Sequence, residues 1–212
     1  RESKAKFFKK DLFFITTPRW LRNFFPGCIW PLKTSEKIIY LSFDDGPHPT
    51  ITPFALATLK KYNAKATFFC IGENVKKYPE IYKQVIDEGH AIGNHTMQHI
   101  NGWKNTDDDY LNDITTAGKY INSNLFRPPY GRIKKSQITK LQTASPKLKT
   151  IMWSVLAGDW VSKLTPEKCF EQVKANIYPG CIVVFHDSDK ANERMSFALP
   201  KLLEHFSKIG YT

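Results

Sequence analysis

The sequence predicts an α/β domain built on a parallel sheet, and two observations carry the prediction. Runs of β-forming residues alternate with helical segments six times along the 212 residues. The connections are too long for hairpins, so successive strands run parallel through right-handed crossovers. The residues able to do chemistry also cluster where strands end, the rim on which sites of this architecture are built. Periodicity leaves an α/β barrel and a doubly wound sheet both open. The hydrophobic fraction of 42% is enough for one buried core and excludes a disordered chain.

The elements follow in order. Lys37–Phe43 is rich in β-formers and stops at the turn cluster Asp44-Asp45-Gly46-Pro47. Pro53–Tyr62 reads as a helix with Phe54, Leu56 and Leu59 as its buried stripe. Ala66–Ile71 is apolar almost throughout, as a strand covered on both faces is. Pro79–Glu88 has Pro at its first helical position and Gly89 just past its end. A short strand, His90–Gly93, comes next. Thr106 caps a helix running to about Asn122, with Asp107, Asp108 and Asp109 in the first turn, where the helix dipole favours acidic groups. Strands at Leu125–Arg127 and Leu148–Ser154 flank a helix from Lys134 to Thr143. Thr165-Pro166-Glu167 opens another helix, Cys181–Phe185 is a strand, and Ala198–Lys208 is the final helix. A further strand is expected to begin at Gly210-Tyr211-Thr212.

Residues 1–35 differ in flavour, being basic, aromatic and without strands, and divide from a domain over residues 36–212. Within them Thr17-Pro18-Arg19 reads as an N-cap followed by Pro, opening a short helix that buries Trp20, Leu21 and Phe24. No signal-peptide pattern follows the basic start, and a cell-envelope or periplasmic location is favoured only weakly. Lys and Arg number 31 against 20 Asp and Glu, a net charge of +11 that suits an anionic neighbourhood without naming one. Cys28, Cys70, Cys169 and Cys181 are widely spaced, so zinc-finger and dithiol motifs are excluded and buried reduced thiols expected.

The candidate chemistry lies in five places. His95 and His99 stand four apart, which on a helical turn aims both imidazoles to one side, a spacing that suits a single metal ion. Asp44-Asp45 brings carboxylates to the same rim, and two His with one Asp leave positions open for water and substrate, as catalytic zinc requires. Arg127, Asp159 with Trp160, and His186 with Asp187 complete the rim. Each has a bland reading taken singly: a surface charge, an N-cap, a core histidine.

Taken together, Ser42-Phe43-Asp44-Asp45-Gly46-Pro47, His95-Thr96-Met97-Gln98-His99, Arg127-Pro128-Pro129-Tyr130-Gly131, Asp159-Trp160 and Val184-Phe185-His186-Asp187 occur in this order. The ordered set resembles the polysaccharide deacetylase family, carbohydrate esterase family 4, from Glu36 to the C-terminus, with Ala66-Thr67-Phe68-Phe69, Gly72, Asn74 and Gly89–Asn94 as connecting features. The resemblance implies a single-domain, distorted (β/α)7-type barrel. It implies that Asp45, His95 and His99 hold one divalent ion, Zn²⁺ first and Co²⁺ or another ion second. It makes Asp44 the general base oriented by Arg127, and His186 the general acid tethered by Asp159. The Tyr130 backbone N–H would stabilise the oxyanion. Pro128 and Tyr130 would bind substrate, and Trp160 and Val184 would wall the acetyl pocket. His48 and His90 match no motif and are read as structural. Leu156 departs from the family, which often carries an acidic or amide residue there.

The implied activity is removal of acetyl groups from an acetylated polysaccharide or oligosaccharide, N-acetylglucosamine polymers before O-acetylated xylan. The expected protein is a monomer that binds no nucleic acid and touches anionic cell-envelope polymer through its charge. A non-haem iron triad is disfavoured by the β/α alternation. A catalytically silent barrel is disfavoured because no expected catalytic residue is missing.

Overall fold

The computed structural model describes residues 14–212. Eight strands form one sheet: β1 (Cys28–Ile29), β2 (Tyr40–Asp44), β3 (Ala66–Cys70), β4 (Ala91–Asn94), β5 (Leu125–Phe126), β6 (Lys149–Ile151), β7 (Val155–Leu156) and β8 (Ile182–His186). Their order is β1-β6-β5-β4-β3-β2-β8-β7, every paired neighbour is parallel, and the curled sheet is a half-barrel with an unpaired seam between β1 and β7. Eight α-helices accompany it among the described residues: α1 (Arg19–Asn23), α2 (Ile51–Lys61), α3 (Gly72–Lys77), α4 (Pro79–Asp87), α5 (Asp107–Gly118), α6 (Lys135–Ala144), α7 (Pro166–Lys174) and α8 (Asn192–Lys208). Among the described residues, no helix is long and apolar enough to cross a membrane.

Alternation along β2 explains how the barrel divides its contents. Phe43 points outward and stacks on Phe68 of β3 at 4.9 Å and on Phe185 of β8 at 6.2 Å, inside the core covered by α2, α7 and α8. Ser42 and Asp44 take the other face and meet the Arg127 guanidinium inside the barrel. A second core, around Phe126, Tyr110, Ile138 and Leu141, seats α5 and α6. Caps match the sequence: the Thr106 side chain accepts from Asp109 N–H, and Thr165 accepts from Lys168 N–H ahead of Pro166.

Several expectations are corrected. The single strand read over Leu148–Ser154 is two strands, because β6 pairs with β5 while β7 crosses to pair with β8. Residues 1–35 were expected to hold no strand, yet Cys28–Ile29 extends the sheet beside β6 and Thr16 bridges Val155 of β7 in antiparallel sense. The N-terminal segment thus fills the seam between the two sheet edges. Thr17 does not cap α1: its hydroxyl donates to the Trp153 carbonyl at 3.0 Å, and the N-cap is Pro18. Trp20 is 58% exposed and Phe24 54%, so only Leu21, half-buried, turns inward. Phe54 is exposed on α2, where Ala55 packs instead. The last helix begins at Asn192 and carries Pro200 in its interior, where the missing N–H removes one helical bond. At the other end Thr212 exchanges backbone bonds with Lys37 and Ile39. The part of the basic segment over residues 1–13 lies outside the described residues.

Candidate active site

The site is assembled at the C-terminal ends of β2, β4, β5 and β8, with loop residues from between α6 and α7. Asp44 ends β2, and Asp45 follows it with φ 83°. That left-handed backbone turns successive carboxylates to different tasks instead of to opposite faces. The Asn74 side-chain amide donates to the Asp45 carbonyl at 2.7 Å and holds the turn.

His95 follows β4 directly. The segment to His99 is a loop and not the helical turn the spacing suggested: Thr96 (φ 66°) and His99 (φ 55°) are both left-handed. Strained non-glycine backbone persists where the surroundings over-determine it. Here the Asp113 carboxylate, from α5, accepts from Met97 N–H at 2.7 Å and Gln98 N–H at 3.1 Å, while Asn94 accepts from Thr96 N–H at 2.8 Å. The two rings end 5.0 Å apart.

Asp45, His95 and His99 each offer one ligand atom, and these atoms lie within 4.8 Å of one another. The donor set fits a cation on two grounds. His95 Nδ1 lies 2.7 Å from the Arg127 carbonyl, which requires the proton on Nδ1 and leaves the Nε2 lone pair aimed at Asp45. Asp45 Oδ1 lies 3.2 Å from His99 Nε2, yet it is buried without a hydrogen-bond partner. Lone pairs converging with no proton between them call for a positive charge at that point. Burial drives the His95 pKa down to about 4, against the pull of Asp44 and Asp45, so the imidazole is neutral as a ligand must be. Burial opposes the charge on Asp45, but the close approach of His99 and the neighbouring His186 and His95 outweigh it and hold the carboxyl below the usual carboxylate range.

Two groups flank this cluster. Asp44 Oδ1 accepts from Arg127 Nη1 at 2.7 Å, and the same nitrogen donates to Ser42 Oγ at 2.8 Å. The guanidinium is fully buried over the Phe69 ring, 4.0 Å from its centroid, and donates to the carbonyls of Ile151 and Met152. On the other flank His186 Nδ1 lies 2.8 Å from Asp159 Oδ1, while His186 N–H donates to Oδ2 at 2.7 Å. Asp159 is fully buried. Burial disfavours the imidazolium, but the charge and hydrogen bond of Asp159, with Asp45 and Asp44 beyond, raise the His186 pKa to about 10. Trp160 packs edge-on against the His186 ring at 4.9 Å.

All seven of these polar residues and Tyr130 are therefore brought together, Arg127 and Asp159 as buried supports behind a cavity of about 1060 Å³. Tyr130 is left-handed (φ 59°), and its hydroxyl lies 3.1 Å from His99 Nδ1. Two expected substrate contacts are not on the cavity wall. Val184 lies two residues below His186 on β8 and is fully covered, and Pro128 is buried; Leu156 and Gly131 line the cavity in their place. Structural roles fit two of the three other histidines: His48 Nδ1 accepts from Ile51 N–H at the start of α2, and His90 Nδ1 accepts from Ala66 N–H. The four cysteines are free and buried.

Sequence reasoning missed three supports, Asp113, Thr52 and Arg194. Arg194 Nε donates to the Asp159 carbonyl at 2.6 Å. The Thr52 hydroxyl donates to Asp187, whose pKa burial raises to about 7. Each sits on a helix with nothing in its neighbours to announce a partner across the rim.

Comparison with known proteins agrees with this geometry. The family model for polysaccharide deacetylase matches residues 32–145. A peptidoglycan-N-acetylglucosamine deacetylase of Bacillus cereus is 38% identical over 189 residues, covering 86% of this chain and 87% of that protein. A chitooligosaccharide deacetylase of Azorhizobium caulinodans is 34% identical, covering 76% and 79%. Among solved structures, the peptidoglycan N-acetylglucosamine deacetylase Bc1960 superposes with a TM-score of 0.83 at 31% identity, covering 92% of each chain. A pseudoenzyme of carbohydrate esterase family 4 from Bacillus anthracis superposes at 0.74 with 27% identity, covering 87% of this chain and 65% of that one. With over half its length matched by the family model and its barrel shared with solved members, this chain belongs to the polysaccharide deacetylase family.

Proposed function

We propose that this chain is a metal-dependent hydrolase that removes the N-acetyl group from N-acetylglucosamine units of a cell-wall glycan. One observation carries the reading: Asp44 and His186, register partners at the ends of β2 and β8, line the same cavity as a three-ligand cluster. The relatives named as peptidoglycan and chitooligosaccharide deacetylases support the substrate class and an envelope location.

Asp45, His95 and His99 would hold the ion, with Zn²⁺ the first choice and Co²⁺ the second. Such an ion supplies Lewis-acid polarisation of a carbonyl oxygen and lowers the pKa of bound water from about 15.7 toward 7.

The chain's own residues do the rest. Asp44, fixed by the buried guanidinium of Arg127, accepts the proton of the attacking water. The Tyr130 backbone, turned left-handed at the rim, offers its N–H to the oxyanion. An amine departs only when protonated, and His186 delivers that proton from Nε2 because Asp159 occupies Nδ1. An alkoxide leaving from an ester needs the acid less, so a tightly held proton favours an amide substrate over O-acetylated xylan. Trp160 and Leu156 line the cavity on the His186 side and fit the acetyl methyl.

The test is acetate release from peptidoglycan, chitin oligomers and O-acetylated xylan by protein loaded with Zn²⁺ or Co²⁺. N-acetylated glycans should release acetate fastest. No release from any of them would assign the chain to the silent members of the family.

A further inference from the structure

The cavity reaches well beyond the catalytic residues, and its far wall comes from the segment ahead of the family-model match. Phe14, Thr17, Leu21 and Phe25 line it together with Trp30 and Trp153. This wall is built in, not draped on. Leu156 N–H donates to the Ile15 carbonyl at 2.8 Å and Thr17 N–H to the Ser154 carbonyl at 3.2 Å. Further along, Met152 N–H donates to the Ile29 carbonyl at 2.7 Å. Arg22 closes the turn between them, its Nη2 and Nε donating to the Thr17 carbonyl at 2.8 and 3.1 Å. Leu21 of α1 and Phe25, two residues past its end, thereby line the cavity, while Trp20 and Phe24 are exposed.

We propose that residues 14–30 form a distal subsite that binds sugar units of a glycan chain beyond the one being deacetylated. The inference rests on the deacetylase reading above. Size points to a polymer, because about 1060 Å³ lies at the upper end of cavities that enclose a whole drug-sized ligand, about 300–1,000 Å³, and one acetylated sugar is smaller than that. Chemistry points to a sugar face. Half-buried rings at Phe14, Phe25 and Trp153 offer apolar area, backed by the buried Trp30, and rigid aromatics bind at low entropic cost. On the same segment Trp20 and Phe24 are exposed and pack edge to face at 6.2 Å.

The experiment compares a chitin hexamer with the dimer, using metal-loaded full-length protein. Leu21→Trp fills the wall without emptying a core, since Leu21 is half-buried. The ratio of kcat/KM for hexamer over dimer should fall about tenfold through KM, the scale of one buried apolar side chain. Phe25→Ser is the second variant, checked for folding by its melting curve. Hexamer binding to the wild type and both variants, followed by calorimetry in Asp44→Asn protein, supplies a readout independent of turnover. Equal losses for dimer and hexamer, or no loss of hexamer binding, overturn the subsite. Retention on phosphatidylglycerol vesicles with unchanged hexamer binding would assign the face to lipid instead. A wild type that binds the hexamer but never releases acetate would sink the deacetylase reading and leave the subsite standing.

Discussion

The two flanks of the site solve opposite problems with the same device. Asp44 is a carboxylate held by a buried cation, and His186 is an imidazole held by a buried carboxylate. Both partners are fully covered; Arg127 reaches past Asp44 to the Met152 carbonyl, while Asp159 spends both carboxylate oxygens on His186, one on its ring and one on its backbone N–H. The difference lies in where the charge is permanent. Arg127 cannot give up its proton, so it orients Asp44 and takes no part in exchange. Asp159 sets how tightly His186 keeps a proton, so it tunes the group as well as orienting it. One flank is built to accept a proton and the other to keep one until an amine needs it.

Removing what lies between the flanks should have the largest effect. Chelation is expected to abolish acetate release and added Zn²⁺ or Co²⁺ to restore it; full activity in metal-free protein would break the comparison altogether. Breaking either flank comes next. Asp44→Asn and His186→Ala should each lower kcat by about 10²–10⁴ while metal content stays near one ion per chain. Metal lost in Asp44→Asn and kept in Asp45→Asn would show that the two aspartates have exchanged roles.

The supports separate the flanks. Arg127→Met leaves Asp44 buried beside no cation, so it should destabilise the fold by about 3–5 kcal/mol in urea unfolding. Asp159→Asn acts on the proton. His186 has its folded pKa raised from 6.5 to about 10, so its stabilising contribution is full below about pH 6.5 and disappears as pH rises through about 10. In Asp159→Asn that window should close, and the alkaline limb of kcat should move to lower pH. An unmoved limb would mean that another group is the acid. The smallest effect belongs to the exposed rim, where Trp20→Ser should change unfolding free energy by no more than about 0.5 kcal/mol.

What the sequence made legible follows from how local each signal is. β2, β3 and β8 are runs of β-forming residues ending in Asp44, Cys70 and His186, and their ends place the rim before any contact is known. The His95–His99 spacing pointed to the candidate ligand cluster but not to its backbone, because four residues span a left-handed loop as readily as a helical turn once Asp113 holds it. β1 and β7 are two residues each, too short for periodicity, and only their pairing with β6 and β8 defines them. Trp20 and Phe24 were expected to be buried on hydrophobicity alone, yet the cavity side is taken by Leu21, within the five-residue helix, and by Phe25, just past its end.

The seam has a consequence for how the molecule comes into being. Thr17 and its partner Trp153 are 136 positions apart, so the segment made early finds its place only after β6 and β7 have left the ribosome. Closing so long a loop costs entropy before any contact repays it. Until then the two sheet edges stand open, with unpaired backbone of the kind that recruits other chains. Vectorial synthesis thus leaves this barrel with its first stave waiting for its last but one, and nascent chains paused before Val155 should be the most prone to aggregate.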